Sequence, residues 1–134
     1  MLQRFVEANG WQPAVVPLFT NVILSSADAD NLGHALWVNK IAAAERVFLT
    51  VNGKDDTLAK STEGRPASAV ALGLNPGAVL ADAATYATIS IDAHEVFTKR
   101  PDHPELSGFF GAAFDGRDIP LGQALPGPGR RFRL

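Results

Sequence analysis

The run Val47-Phe48-Leu49-Thr50-Val51, entered from Arg46 and closed by Asn52-Gly53-Lys54-Asp55-Asp56, constrains the fold of this chain more than any other stretch. Phe48, Leu49 and Val51 stand beside β-branched Val47 and Thr50, which suits a strand covered on both faces. A strand of that kind implies a parallel sheet flanked by helices. In open α/β sheets the ligand crevice lies outside the carboxyl ends of the strands, so Asp55 and Asp56 stand where a catalytic acid or a metal ligand would. The plain alternative is a solvated turn.

Length and composition narrow the rest. A chain of 134 residues is one domain by length, and at this size it can bury roughly 68–70% of its unfolded surface. The net charge of -2 is scattered, without the basic stripe that tracks a phosphate backbone, so nucleic acid is not an expected partner. No cysteine is present, which excludes disulfides, thiolate catalysis and cysteine-ligated zinc. The first residues lack a basic region followed by an apolar run, and no segment approaches the ~20 apolar residues that span a bilayer. The expectation is a soluble, cytoplasmic chain without a signal peptide.

Leu2, Phe5 and Val6 share one helical face, and Asn9-Gly10 would stop that helix. It would begin at the first residue with no room for a cap, as though the chain started in the middle of a larger fold. Trp11 to Thr20, with two prolines, reads as a connection. Asn21 to Ser25 reads as a short buried strand. Leu32, Leu36 and Ile41 suggest an amphipathic helix reaching Ala44, capped by Asp30 or Asn31. A short helix is expected over Thr57 to Ser61, and turns separated by a loop over 67–84. Tyr86 to Ile91 is the third strand, and Pro104 opens a last helix with Leu106, Phe109, Phe110 and Ala113 on one face. Residues 1–114 form the domain. The Gly/Pro-rich stretch 115–134 reads as a disordered tail, with Arg130, Arg131 and Arg133 as solvated charges.

Three strands give three carboxyl-terminal corners, holding Asp28 and Asp30, then Asp55 and Asp56, then Asp92, His94 and His103. A serine hydrolase of the α/β type needs a histidine to take the nucleophile's proton and a carboxylate to hold its tautomer, in chain order nucleophile, acid, histidine. Asp55 and His103 obey that order. Asp28 and Asp30 read as cap and turn residues, with Asp28 the reserve candidate for the acid, and His34 and His94 read as surface histidines.

Asn21-Val22-Ile23-Leu24-Ser25-Ser26-Ala27-Asp28-Ala29-Asp30-Asn31, then Gly33-His34-Ala35-Leu36-Trp37-Val38, then Val51-Asn52-Gly53-Lys54-Asp55-Asp56-Thr57-Leu58 resembles the carboxyl-terminal half of an alpha/beta-hydrolase group of uncharacterised bacterial esterase/lipase-like proteins. The likeness covers residues 20 to 60 and, more loosely, 86 to 114. It implies a partial three-layer α/β sheet of about three parallel strands with flanking helices. It also implies that Asp55, fourth in the Asn-x-x-Asp turn, is the triad acid and that His103 is its base. Asp56 stands where that group carries an apolar residue, and His103 lies farther from Phe109-Phe110 than the group's histidine from its aromatic pair.

The group's nucleophile sits in a Gly-x-Ser-x-Gly elbow, and no such elbow is present here. Ser25 and Ser26 lack flanking glycines, and Ser107 falls inside a helix. The expected function is therefore the carboxyl-terminal portion of a serine-type hydrolase, inactive alone and without cofactor or metal, that self-associates or joins a complementing amino-terminal fragment. Two other readings stand beside it. Asp28, Asp30, Asp55 and Asp56 could bind Mg²⁺ in a phosphotransfer or receiver-like domain, or the chain could be a non-catalytic α/β interaction module.

Overall fold

Val47 to Val51 occupy the middle of β2 (Ala44–Asn52), and their side chains alternate across the sheet with the period of two that a strand imposes. Val47, Leu49 and Val51 join Trp37, Val38, Ile41, Leu72 and Tyr86 in one core. Phe48 points the other way, into a second core with Ala87, Ile89, Val96, Leu106, Phe109 and Phe110. Both faces of β2 are thus covered, which is why the run shows no polar alternation. The computed structural model describes residues 17–66 and 68–134. The helix expected over Leu2 to Val6, and Trp11, lie outside the described residues.

β1 (Phe19–Leu24) and β3 (Ala84–Ile89) flank β2, both parallel to it. Leu24 lies opposite Leu49, while Thr88 and Ile89 lie opposite Val51 and Asn52, so the three strands finish along one edge. α1 (His34–Val38) lies between β1 and β2, α2 (Asp56–Thr62) between β2 and β3, and α3 (Pro104–Phe114) follows β3. Pro104 occupies the first turn of α3, where its missing N–H has no partner to lose. The inner face of α3 places Phe109 edge-on to Phe48, ring centres 5.8 Å apart, and Phe110 edge-on to Phe109 at 5.2 Å. Each of these buried rings contributes about 1.5–3 kcal/mol from area alone.

The other core contains a polar pair that is fully satisfied. The Tyr86 hydroxyl accepts the Ala81 N–H at 2.8 Å and faces His34 Nε2 at 2.7 Å, while His34 Nδ1 lies 2.7 Å from the Asn31 carbonyl. A carbonyl only accepts, so Nδ1 carries the ring proton and Nε2 accepts from the tyrosine. His34 is therefore a buried connector and not the surface histidine its sequence setting suggested. Burial pushes the Tyr86 phenol above its ordinary value; the Ala81 N–H opposes that shift and nearby Asp82 adds to it.

The architecture is an α/β fold with a mostly parallel sheet, and it is wider than three strands. The order is β1-β2-β3-β5-β4, with β4 (Gln123–Ala124) and β5 (Arg130–Arg133) both drawn from the stretch expected to be a disordered tail. β5 runs parallel to β3, pairing Thr85 with Arg130 and Thr88 with Arg133, and β4 closes antiparallel on β5. What the sequence hid is that the backbone of β3 needs partners on its second side. The arginines meet that need through main-chain bonds that carry no hydropathy signal. Arg46 anchors the approach to β4 by donating to Asp118 at 2.5 Å and to the Gly116 carbonyl at 3.1 Å.

The helix expected from Leu32 to Ala44 forms only as the five residues of α1. Leu32 and Leu36 are exposed, and Trp37, Val38 and Ile41 do the packing. Gly33 stands at φ 71 immediately before α1, and neither Asp30 nor Asn31 caps it. The third strand likewise begins two residues earlier than expected, and Ile91 lies beyond its end.

Candidate functional site

The three strand ends converge where β2 stops. After Asn52 the chain turns tightly: the Asp55 N–H donates to the Asn52 carbonyl at 3.2 Å, and the Lys54 N–H to Asn52 Oδ1 at 3.3 Å. The turn delivers Asp55 to the amino end of α2 in an extended conformation, where Oδ1 accepts the Leu58 N–H at 3.0 Å. An aspartate at this position satisfies a helix donor that would otherwise lack a partner, and the positive end of the helix favours its charge. Its side chain is wholly inaccessible to solvent. Asp56, the next residue, is exposed on the first turn of α2.

The side chain brought to Asp55 is His94. Its Nδ1 lies 2.9 Å from Asp55 Oδ2 and 3.0 Å from Oδ1, and its ring is 38% exposed. A carboxylate is acceptor-only, so Nδ1 carries a proton, and in the neutral imidazole Nε2 keeps its lone pair. Among the described residues Nε2 has no hydrogen-bond partner. A buried carboxylate that fixes the tautomer of a half-exposed imidazole is the arrangement that lets a histidine act as a general base toward whatever reaches Nε2.

His103 is not part of this cluster. It stands at the amino end of α3 without capping it, and its Nδ1 lies 3.2 Å from Glu105 Oε1 at the surface. The resemblance favoured His103 because an aromatic pair follows it. The signal for His94 was its place just beyond Ile89 and Ile91, at the third strand end, on the same edge as Asp55. Asp28 and Asp30 are engaged elsewhere: Arg65 pairs with both, at 2.5 Å for Asp28, which also accepts the Ser61 hydroxyl at 2.5 Å. They do not turn toward Asp55, and among the described residues no three acidic or histidine side chains converge on a metal-sized space.

Three further residues tie together the segments around this pair. Ser26, just past β1, holds φ at 47 and donates its hydroxyl to the His94 carbonyl at 2.5 Å. Asn52 donates to the carbonyls of Ile91 and Ala93 at 2.9 and 2.8 Å. Gly73 brings two backbones together, its N–H donating to the Ala27 carbonyl and its own carbonyl accepting from Asn52, both at 2.8 Å. A Cβ at position 73 would sit 2.6 Å from the Ala27 nitrogen, so only glycine allows this approach. Of the other serines weighed as nucleophiles, Ser25 accepts from the Thr50 hydroxyl at 3.4 Å, and Ser107 donates to the Arg100 carbonyl at 2.6 Å on the outside of α3.

No family model, curated protein or solved structure matches this chain. Among the described residues no helix is long and apolar enough to cross a membrane.

Proposed function

We propose that this chain carries the acid and the histidine of a serine-type α/β hydrolase of the esterase/lipase kind, with Asp55 as acid and His94 in place of His103 as base. The observation that carries the reading is the contact of His94 Nδ1 with the inaccessible Asp55 carboxylate at 2.9 Å, outside the carboxyl ends of adjacent parallel strands. Chain order supports it, since the acid precedes the histidine on successive strands. In this reading a nucleophilic serine comes from a complementing amino-terminal segment whose strand pairs along the outer edge of β1.

In the reaction, His94 Nε2 takes the proton of the incoming serine hydroxyl as it attacks the ester carbonyl, then returns it to the departing alcohol. Asp55 stabilises the imidazolium formed in between and stays ionised. The test combines p-nitrophenyl ester turnover with covalent labelling by a fluorophosphonate. The chain alone is expected to be silent, and to gain turnover when mixed with an elbow-bearing amino-terminal fragment of an esterase from the same group. That gain is expected to vanish in H94A and D55A. Turnover that survives H94A would overturn the reading.

A further inference from the structure

The residues that carry His94 have left β3 and belong to no helix or strand. They are nevertheless tied to the ends of β2 and β1. Asn52 is 2% exposed and spends both amide hydrogens on this segment, one on the Ile91 carbonyl and one on the Ala93 carbonyl. Its Oδ1 accepts from Lys54, inside the turn that delivers Asp55. Ser26 reaches across from β1 and donates to the carbonyl of His94 itself. Its left-handed backbone is costly for a residue with a Cβ, and such strain survives only where the surroundings hold it in place.

We propose that Asn52 and Ser26 are positioning residues for His94, fixing the backbone on both sides of it so that its ring meets Asp55 in one orientation. The inference rests on the reading of Asp55 and His94 as acid and base. It separates the two ends of the Asn-x-x-Asp turn by what each one holds. Asn52 holds the main chain that bears the histidine, and Asp55 holds the ring. The division follows from chemistry. Two convergent carbonyls need a neutral group with two donors, which a primary amide supplies and a carboxylate cannot. The imidazole N–H needs an acceptor, and the carboxylate supplies one whose charge also favours the imidazolium. A general base displaced by about 1 Å loses most of its advantage, so fixing this unstructured segment matters to catalysis and not only to folding.

Substitution at position 26 separates positioning from stability. Ser26→Ala removes the hydroxyl and keeps the strain, whereas Ser26→Gly removes both. The readout is the tautomer of His94 by nitrogen-15 correlation spectra of the uniformly labelled chain, with thermal melting alongside. His34, locked in its own buried pair, serves as the internal reference. In the wild type His94 is expected as a single Nδ1–H form. N52L, S26A and S26G are each expected to show both tautomers at His94 while His34 stays unchanged, and S26G is expected to melt above S26A. Should S26G and S26A, together with N52L if it folds, retain the single Nδ1–H form, the positioning role is overturned. Recovery of the single form in S26G alone would also overturn it, since backbone strain would then be the whole effect. Fluorophosphonate labelling of Ser26 would overturn it as well, by making that hydroxyl a nucleophile. A wild type that lacks the Nδ1–H form at His94 would overturn the Asp55–His94 reading first, and this inference with it.

Discussion

Replacing Asp55 by asparagine changes one atom in the most buried polar contact of the site, and the geometry dictates how the new amide must turn. Asp55 Oδ1 accepts the Leu58 N–H at 3.0 Å, so the amide oxygen takes that position and keeps the helix cap. The amide nitrogen then occupies the place of Oδ2, 2.9 Å from His94 Nδ1. The amide N–H faces the ring nitrogen at the shorter distance, so His94 is expected to move its proton to Nε2 and accept at Nδ1, giving up the contact of Nδ1–H with Oδ1 at 3.0 Å. The hydrogen bond to a charged acceptor, worth about 1.5–3 kcal/mol, is exchanged for a neutral one worth about 1 kcal/mol. The cap survives and the desolvation cost of a buried carboxylate disappears, so the net change in folding stability is expected to stay within about 1–2 kcal/mol.

Under the proposed function, the expected effect on catalysis is far larger than the effect on folding. With its proton on Nε2 the imidazole can no longer accept from a serine, and the same replacement in a Ser-His-Asp triad lowers kcat about 10⁴-fold. At 1.36 kcal/mol per factor of ten, that is about 5.4 kcal/mol of lost transition-state stabilisation. Urea denaturation measures the first quantity. Nitrogen-15 spectra of the His94 ring, together with ester turnover in the complemented protein, measure the second. A D55N protein with wild-type stability whose His94 still carries its proton on Nδ1 would refute the reasoning, because the carboxylate would then not be what sets the ring.

Four further outcomes follow from the same structure. H103A is expected to leave complemented turnover unchanged and to alter stability by no more than about 1 kcal/mol, since the pair with Glu105 is at the surface; turnover abolished by H103A would restore His103 as the base. G73A is expected to destabilise the fold by about 1–3 kcal/mol in urea, because the added Cβ meets the Ala27 nitrogen and not a pliable side chain; unchanged stability would contradict the close approach. Tyr86, the one tyrosine in the sequence, has its phenol raised above 10.0 by burial, so the unfolded chain releases that proton first as pH rises. Its contribution is complete below about pH 10 and is lost above it, so urea midpoints are expected to fall from pH 10 upward in the wild type. Y86F should lack that component and be weaker at neutral pH by about 1–3 kcal/mol, having left the Ala81 N–H unsatisfied. Finally, size-exclusion chromatography is expected to show association of the isolated chain, and a stable, cooperative monomer would count against the proposed pairing of a further strand along the outer edge of β1.

By itself the sequence determined the elements whose side chains carry their own signal. Val47 to Val51 could only be a strand covered on both faces, and Pro104 with Leu106, Phe109 and Phe110 could only be a helix with one buried face. The place of Asp55 at a strand end was equally legible, because an abrupt change from apolar to acidic residues is visible in one dimension. The tertiary structure decided whatever depends on backbone pairing or on distance across the sheet. β5 forms from arginines because the second side of β3 needs hydrogen-bond partners, and main-chain bonds leave no trace in hydropathy. Leu36 is exposed while His34 is buried because α1 ends after five residues and its orientation is set by Trp37 and Val38. The partner of Asp55 was decided in the same way. His94 and His103 are equally consistent with chain order, and only the parallel register of β2 and β3, with Asn52 and Ser26 holding the segment beyond β3, brings one of them within 2.9 Å of the acid.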